Sequence, residues 1–143
     1  MSKALRLIIG VPVALVVLVV LLTFRGESRY SSSMAQAKAK AEAGDANGAF
    51  LTYGDAIRMA PDRVDAYFLR AAAMLKLKNY SKAQIDLNDI IRMQPNFGEA
   101  YRLRAECYRA QGLEDKGKED DSIADRLGAA KVISAPEKVL FPK

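Results

Sequence analysis

The residues that most often carry out chemistry in proteins are scarce in this sequence. It contains no histidine, and Cys107 is its only cysteine. Histidine is the commonest general base and a frequent metal ligand, so its absence removes two kinds of site. A single thiol cannot form an intrachain disulfide. No nucleophile elbow, phosphate-binding loop or paired cysteine motif is present either. The sequence therefore predicts no catalytic residue, no cofactor and no enzymatic activity.

Two other features invite a chemical interpretation. Acidic side chains cluster near residue 120, at Asp115, Glu119, Asp120, Asp121 and Asp125. They lie on a predicted helix, point in different directions and are interspersed with basic residues, so we predict no metal site. Cys107 lies in the middle of a predicted helix, where a small buried side chain is a more usual role than a reactive thiol.

Arg70 and Arg104 each precede an alanine in two similar stretches of the chain, YFLRA and YRLRA. Two interpretations of this pair remain open. The arginines could form a ladder of positive charge in a ligand site. Alternatively, each could pack its stem on a neighbouring helix and keep its guanidinium in water.

The charge of the chain is concentrated near its beginning. The segment up to Tyr30 holds four basic side chains and one acidic side chain, and therefore carries most of the net charge of +5. No run of basic residues with interleaved aromatic residues follows. We therefore expect no nucleic-acid partner. We expect no small-molecule substrate either.

Residues 5–24 form an apolar stretch, LRLIIGVPVALVVLVVLLTF, in which Arg6 is the only charged residue. A helix of about 20 residues spans the roughly 30 Å hydrocarbon core of a bilayer. Gly10 and Pro12 are tolerated in such helices. The stretch has no polar face to present to water. We therefore predict a transmembrane anchor and contact with the lipid bilayer over about residues 5–24. It lies within an N-terminal region, residues 1–29, that starts with a short basic stretch and ends in a juxtamembrane linker.

A cleaved secretory signal, which would leave a secreted protein, is an alternative for this stretch. Its apolar part would be shorter, roughly 7–15 residues, and a small-x-small cleavage site would follow it. Here the charged sequence RGESRYSSS follows Phe24. Basic residues nearly balance on the two flanks. Because a short basic N-terminus most often stays in the cytoplasm, we expect the rest of the chain on the non-cytoplasmic side.

The rest of the chain repeats itself with a period of about 34 residues, within the range that indicates a repeat architecture. IRMAPDRVDAYFLRA at residues 57–71 returns as IRMQPNFGEAYRLRA at residues 91–105. Three copies can be aligned, at residues 30–63, 64–97 and 98–131. Each copy reads as two helices separated by a break, and Pro61 and Pro95 end the second helices of the first two copies.

This pattern resembles the tetratricopeptide repeat. The family places large and small residues and a proline at fixed positions where helices meet or turn. The matching residues here are Ala37, Ala49, Ala56, Pro61, Tyr67, Ala71, Ala83, Pro95, Tyr101, Ala105, Gly117 and Ala124. The resemblance implies an all-α fold, a three-unit superhelix of helical hairpins, with these residues in the packing between helices.

The resemblance also implies a concave groove lined by the first helix of each unit. Its positions here are Lys38, Glu42, Asp65, Phe68, Leu69, Ala72, Lys76, Glu99, Arg102, Glu106 and Arg109. An apolar middle unit flanked by mixed charge would suit a peptide. After the third unit, residues 132–143 read as an extended C-terminal tail. Its VLF stretch could be a short docking segment or part of a frayed terminus.

We therefore predict a membrane-anchored protein-interaction module, an adaptor or scaffold, that binds a peptide or partner protein in the groove. The alternative is a permanent accessory subunit of a larger membrane complex. In that case the transmembrane helix itself would make the contacts, at the small residues Gly10 and Ala14.

Overall fold

The computed structural model describes the backbone of residues 3–129 and the side chains of residues 13–129. This part of the chain forms six α-helices and no strand. The helices are α1 (Lys3–Glu42), α2 (Ala46–Met59), α3 (Val64–Lys76), α4 (Tyr80–Met93), α5 (Gly98–Ala110) and α6 (Glu114–Arg126). The tail predicted over residues 132–143 lies outside the described residues, as do the side chains of residues 5–12 of the predicted anchor.

The first helix is longer than the sequence pattern indicated. We expected a juxtamembrane linker up to residue 29, but α1 runs unbroken from Lys3 to Glu42. No proline follows Pro12 within this helix, and Gly26 alone does not interrupt it. At a rise of about 1.5 Å per residue, the helix is roughly 60 Å long. The apolar stretch and the first helix of the first repeat are therefore one continuous element.

The large apolar side chains between Val13 and Phe24 are not covered by the rest of the described chain. Each of them is between 51% and 75% exposed. Within the part of the chain that the structure describes, no helix has both the length and the apolar character needed to cross a membrane.

Each helix packs mainly against the helix before it and the helix after it. This order gives three hairpins, with the C-terminal part of α1 as the first helix of the first hairpin. The small residues of the repeat pattern lie in the packing. Seven alanines of the pattern have no exposed surface: Ala37, Ala49, Ala56, Ala71, Ala83, Ala105 and Ala124. Gly117 is buried too.

The large residues and prolines of the pattern lie in more varied surroundings. Tyr101 is buried against Ala124 and Ala129. Tyr67 is only half-buried, and its hydroxyl donates a hydrogen bond to the carbonyl oxygen of Pro61 at 3.0 Å. Pro61 and Pro95 are exposed in the turns between hairpins.

The turn inside each hairpin repeats its backbone conformation. Gly44, Lys78 and Gly112 follow the first helices at equivalent positions of the three repeats, and all three have positive φ, at 85°, 56° and 75°. Asp45 and Asn79 then cap α2 and α4 by accepting hydrogen bonds from backbone N–H groups. The second hairpin thus holds a lysine where the others hold glycine, and a Cβ is unfavourable in this conformation.

We expect Lys78→Gly to stabilise the folded state by about 0.5–1 kcal/mol, because it removes this Cβ strain. Urea unfolding of the full chain in a mild detergent, followed by far-ultraviolet circular dichroism, measures the change. Lys118→Gly, at an exposed position inside α6, is the matched control and should destabilise the fold by about 1 kcal/mol. Equal effects of the two substitutions would contradict the explanation.

Candidate functional site

A groove lies between α1 and α3. Its wider part is a cavity of about 270 Å³, lined by Tyr30, Ser31, Met34, Ala35, Lys38, Arg63, Asp65 and Leu69. A narrower part of about 50 Å³ continues along the same helices, lined by Lys38, Ala41, Glu42, Ala46, Tyr53, Leu69, Ala72, Ala73 and Lys76. Lys38 and Leu69 belong to both parts, so the two cavities form one groove.

The groove has an apolar floor and a charged rim. Met34, Leu69 and Ala72 are buried and form the floor. On the rim, the Lys38 ammonium lies 3.9 Å from Glu42, with side chains 42% and 68% exposed. Exposed ion pairs of this kind contribute little to stability. The surface therefore suits an apolar segment that carries a carboxylate.

A cluster of charged and aromatic groups closes one end of the groove. Arg63 donates to Glu27 at 2.7 Å and to Asp65 at 3.0 Å, and its guanidinium carbon lies 4.0 Å from the centre of the Tyr30 ring. The Tyr30 hydroxyl donates to Asp65. Burial, reinforced by this hydrogen bond, raises the pKa of the Tyr30 phenol. These contacts fasten α1 to the beginning of α3.

Six of the predicted groove residues line this groove: Lys38, Glu42, Asp65, Leu69, Ala72 and Lys76. Glu99, Glu106 and Arg109 lie on α5 and line neither of its two parts. Sequence reasoning missed Tyr30, Met34 and Arg63. The spacing of Tyr30, Met34 and Lys38 at intervals of four residues, which places them on one helix face, could have identified the first two.

Phe68 does not belong to the groove, contrary to the prediction. Its side chain is fully buried among residues of α4 and α5, and it meets the Phe97 ring edge to face at a centroid distance of 5.2 Å. The reason is that α3 lies inside the stack and packs against helices on both sides. The face expected to bind a partner is therefore core at this position.

Arg102, which we predicted to line the groove, lines neither of its two parts. It is buried, and it donates to Asp121 at 2.8 Å and to Asp125 at 2.5 Å. Arg109 donates to the other oxygen of Asp121 at 2.5 Å. The acidic residues of α6 thus hold α5 through arginines. Among the described residues, no group of three or more acidic or cysteine side chains could hold a metal ion.

Arg70 and Arg104 make equivalent ion pairs inside their hairpins. Arg70 donates to both carboxylate oxygens of Asp86, at 2.8 and 2.6 Å, and Arg104 does the same to Asp120, at 2.7 and 2.8 Å. The two carboxylates are only 2% and 5% exposed. Their geometry answers the open question about these arginines: each ties the two helices of one hairpin together.

The protonation state of the Arg70–Asp86 pair follows from its geometry. The hydrogen bonds to Asp86 raise the pKa of the Arg70 guanidinium, despite its partial burial. Burial raises the pKa of the Asp86 carboxyl, and Arg70 opposes that shift. Since a guanidinium stays charged in proteins, the bidentate contact favours an ionised pair.

The thiol of Cys107 is buried within the core. Burial, followed by the negative charge of Glu106, raises its pKa to about 12. The thiolate is the reactive form of cysteine, so this side chain is unreactive at neutral pH.

Comparison with known proteins supports the same class of fold. Residues 40–107 match the tetratricopeptide repeat family. No curated protein is similar enough in sequence to match the chain. The hairpins of this region are similar to tetratricopeptide repeats, and the all-α helical stack that we predicted is confirmed.

Several solved structures share this fold. The tetratricopeptide domain of Arabidopsis OM64 is 22% identical, with a TM-score of 0.71, over 80% of this chain and 96% of that chain. The first such domain of Spaghetti (RPAP3), bound to the HSP90 peptide SRMEEVD, is 19% identical, with a TM-score of 0.67, over 70% and 79% of the chains. The TPR2B domain of yeast Sti1, in a complex with pHsp70, is 27% identical, with a TM-score of 0.67, over 70% and 80%.

We expect Asp86→Ala to destabilise the fold by about 3 kcal/mol, because it leaves the partly buried Arg70 guanidinium without its carboxylate. Asp89→Ala is the matched control on the same helix. It removes the exposed pair with Arg92, with side chains 37% and 73% exposed, and should change stability by less than about 1 kcal/mol. Urea midpoints of both variants measure the difference. Similar losses would show that the Arg70–Asp86 pair has no special structural role.

Proposed function

We propose that the chain is a protein-interaction module that holds a partner protein through the groove between α1 and α3, and that its N-terminal helix anchors it to a membrane. The observation that carries the proposal is the groove itself: an apolar floor at Met34 and Leu69 beneath a rim that includes Lys38 and Lys76. The groove takes an extended or helical segment with apolar side chains and at least one carboxylate. The proposal assigns no bond-breaking chemistry to any residue.

The relatives support a binding role of this kind. The RPAP3 domain is bound to an acidic HSP90 peptide, and the Sti1 domain forms a complex with pHsp70. The HSP90 peptide and pHsp70 are partners of RPAP3 and Sti1, respectively. Two lysines face the present groove, so a carboxylate-bearing peptide is also the chemistry that we propose for this chain.

The proposed anchor rests on the apolar stretch at residues 5–24 and on the exposure of its second half. Large apolar side chains cover all sides of α1 from Val13 to Phe24, and such a surface is costly in water. We propose that the helical stack lies on the non-cytoplasmic side, because the residues before the stretch are short and basic.

A second proposal concerns the anchor helix itself. If the chain is a permanent subunit of a membrane complex, the small residues Gly10 and Ala14 would face another membrane helix. Gly10 lies outside the described side chains, and Ala14 is exposed. The groove would then be a secondary contact.

Photo-crosslinking in intact membranes tests the groove. A photoreactive amino acid replaces Ala35, which lines the groove, or Gln36, which lies at the same height on another face of α1. We expect Ala35 to crosslink one dominant partner and Gln36 to crosslink it weakly. Lys38→Glu with Lys76→Glu should reduce the yield about tenfold, equal to about 1.4 kcal/mol. Lys116→Glu with Lys118→Glu makes the same charge change on α6 and should leave the yield unchanged.

The outcomes separate the two proposals. A partner that is lost only with the groove lysines supports the groove. A partner that survives those changes and disappears after Gly10→Leu with Ala14→Leu supports the membrane-helix contact. Equal crosslinking from Ala35 and Gln36 in every variant contradicts the groove proposal.

Extraction with alkaline carbonate tests the anchor. The full chain should stay with the membranes, whereas Val17→Arg with Leu21→Arg should release it, because each arginine at the centre of a membrane helix costs about 2.5–3.5 kcal/mol. Ser32→Arg with Gln36→Arg adds the same charges further along α1, at exposed positions, and should not release it. Release of the unaltered chain would contradict a transmembrane anchor.

A further inference from the structure

The described chain ends beside α5, the first helix of the repeat that follows the groove. After α6, Ala129 packs over the beginning of α5: a Cβ added at Gly98 would lie 2.9 Å from the Ala129 Cβ. Arg102 donates to the carbonyl oxygen of Ala129 at 3.3 Å. The last described residue, Ala129, is therefore held at the N-terminal end of α5.

This position is one repeat away from the wide part of the groove. Gly98 and Val64 occupy equivalent positions in the two repeats, and Asp65 of the groove follows Val64. Packed helices lie about 8–10 Å apart, so the groove is roughly 10–20 Å from Ala129. An extended chain covers about 3.3 Å per residue. The stretch from Ala129 to Leu140 is therefore long enough to bring Leu140 into the groove with slack.

The chemistry of this tail complements the groove. EKVLFP at residues 137–142 combines one carboxylate, at Glu137, and one ammonium group, at Lys138, with three consecutive large apolar residues. Pro136 and Pro142 bracket these residues and disfavour helix there, so the sequence favours an extended segment. Val139, Leu140 and Phe141 match the apolar floor, and Glu137 is opposite in charge to Lys38 on the rim.

We propose that residues 137–141 of the chain's own tail occupy the groove between α1 and α3 and compete there with the partner. Glu137 pairs with Lys38, and the apolar residues cover Met34 and Leu69. The tail is then an internal ligand that a partner must displace. This inference rests on the groove being the binding surface proposed above.

Disulfide trapping in the full chain tests the proposal. Leu140→Cys is combined with Ala35→Cys in the groove or, as a matched control, with Gln36→Cys on the other face of α1. Neighbouring residues of a helix have the same tether length but point about 100° apart. Cys107 does not interfere, because it is buried and its pKa is about 12. Dilute protein in detergent is oxidised with diamide, and the linked peptides are identified by mass spectrometry.

We expect the Ala35–Leu140 disulfide to form within one chain, at least about tenfold faster than the Gln36–Leu140 disulfide. Glu137→Lys should reduce that preference. Equal rates for the two pairs would overturn the proposal. A fast Ala35–Leu140 disulfide that joins a tagged chain to an untagged chain would overturn it in favour of a second copy.

The crosslinking experiment keeps the two proposals distinct. If the tail is displaced by the partner, Glu137→Lys with Leu140→Asp should raise the crosslinking yield from Ala35. Equal disulfide rates, together with partner crosslinking that requires Lys38 and Lys76, would contradict only the inference about the tail. A faster Ala35–Leu140 disulfide, without any partner crosslinking that requires Lys38 and Lys76, would contradict only the proposed function.

Discussion

The close approach of helices at alanine and glycine is the constraint on which the rest of the structure depends. Ala37, Ala71 and Ala105 occur at the same place in three successive first helices, and none is exposed. Gly117 shows how little room there is, since a Cβ there would lie 3.2 Å from the Ala105 carbonyl oxygen. Such close contact allows the Arg–Asp pairs to bridge each hairpin of the second and third repeats. It also stacks α1 beside α3 so that their surfaces enclose a groove.

The sequence alone was sufficient for the features that follow from periodicity. The repeated pattern predicted helical hairpins and their stacking, because each repeat must bury its apolar face against the next. Periodicity could not show whether Phe68 lies in the groove or in the core, since a helix with neighbours on both sides has more than one buried face. It could not assign Arg102 either, because its carboxylate partners lie on α6, 19 and 23 residues away. Pairs at that separation depend on how two helices meet.

The third hairpin is held together differently from the first two. α6 buries only Gly117, Asp120 and Ala124, whereas α2 and α4 bury larger apolar side chains such as Tyr53 and Leu87. Ion pairs take the place of apolar contacts between α5 and α6. Asp120, Asp121 and Asp125 each pair with an arginine of α5. A helix with so many charges can present its outer face to water without exposing a large apolar surface.

The unbroken course of α1 joins the groove mechanically to the apolar stretch. Tyr30, Met34 and Lys38 form one wall of the groove, and they lie on the same rod as Val13 to Phe24. A straight α-helix resists twisting, because every turn is fixed by its backbone hydrogen bonds. Rotation of the apolar half about its axis therefore turns this wall by a similar angle, while the Arg63 contacts with Glu27 and Asp65 resist the motion. The width of the groove thus depends on how α1 is rotated about its own axis.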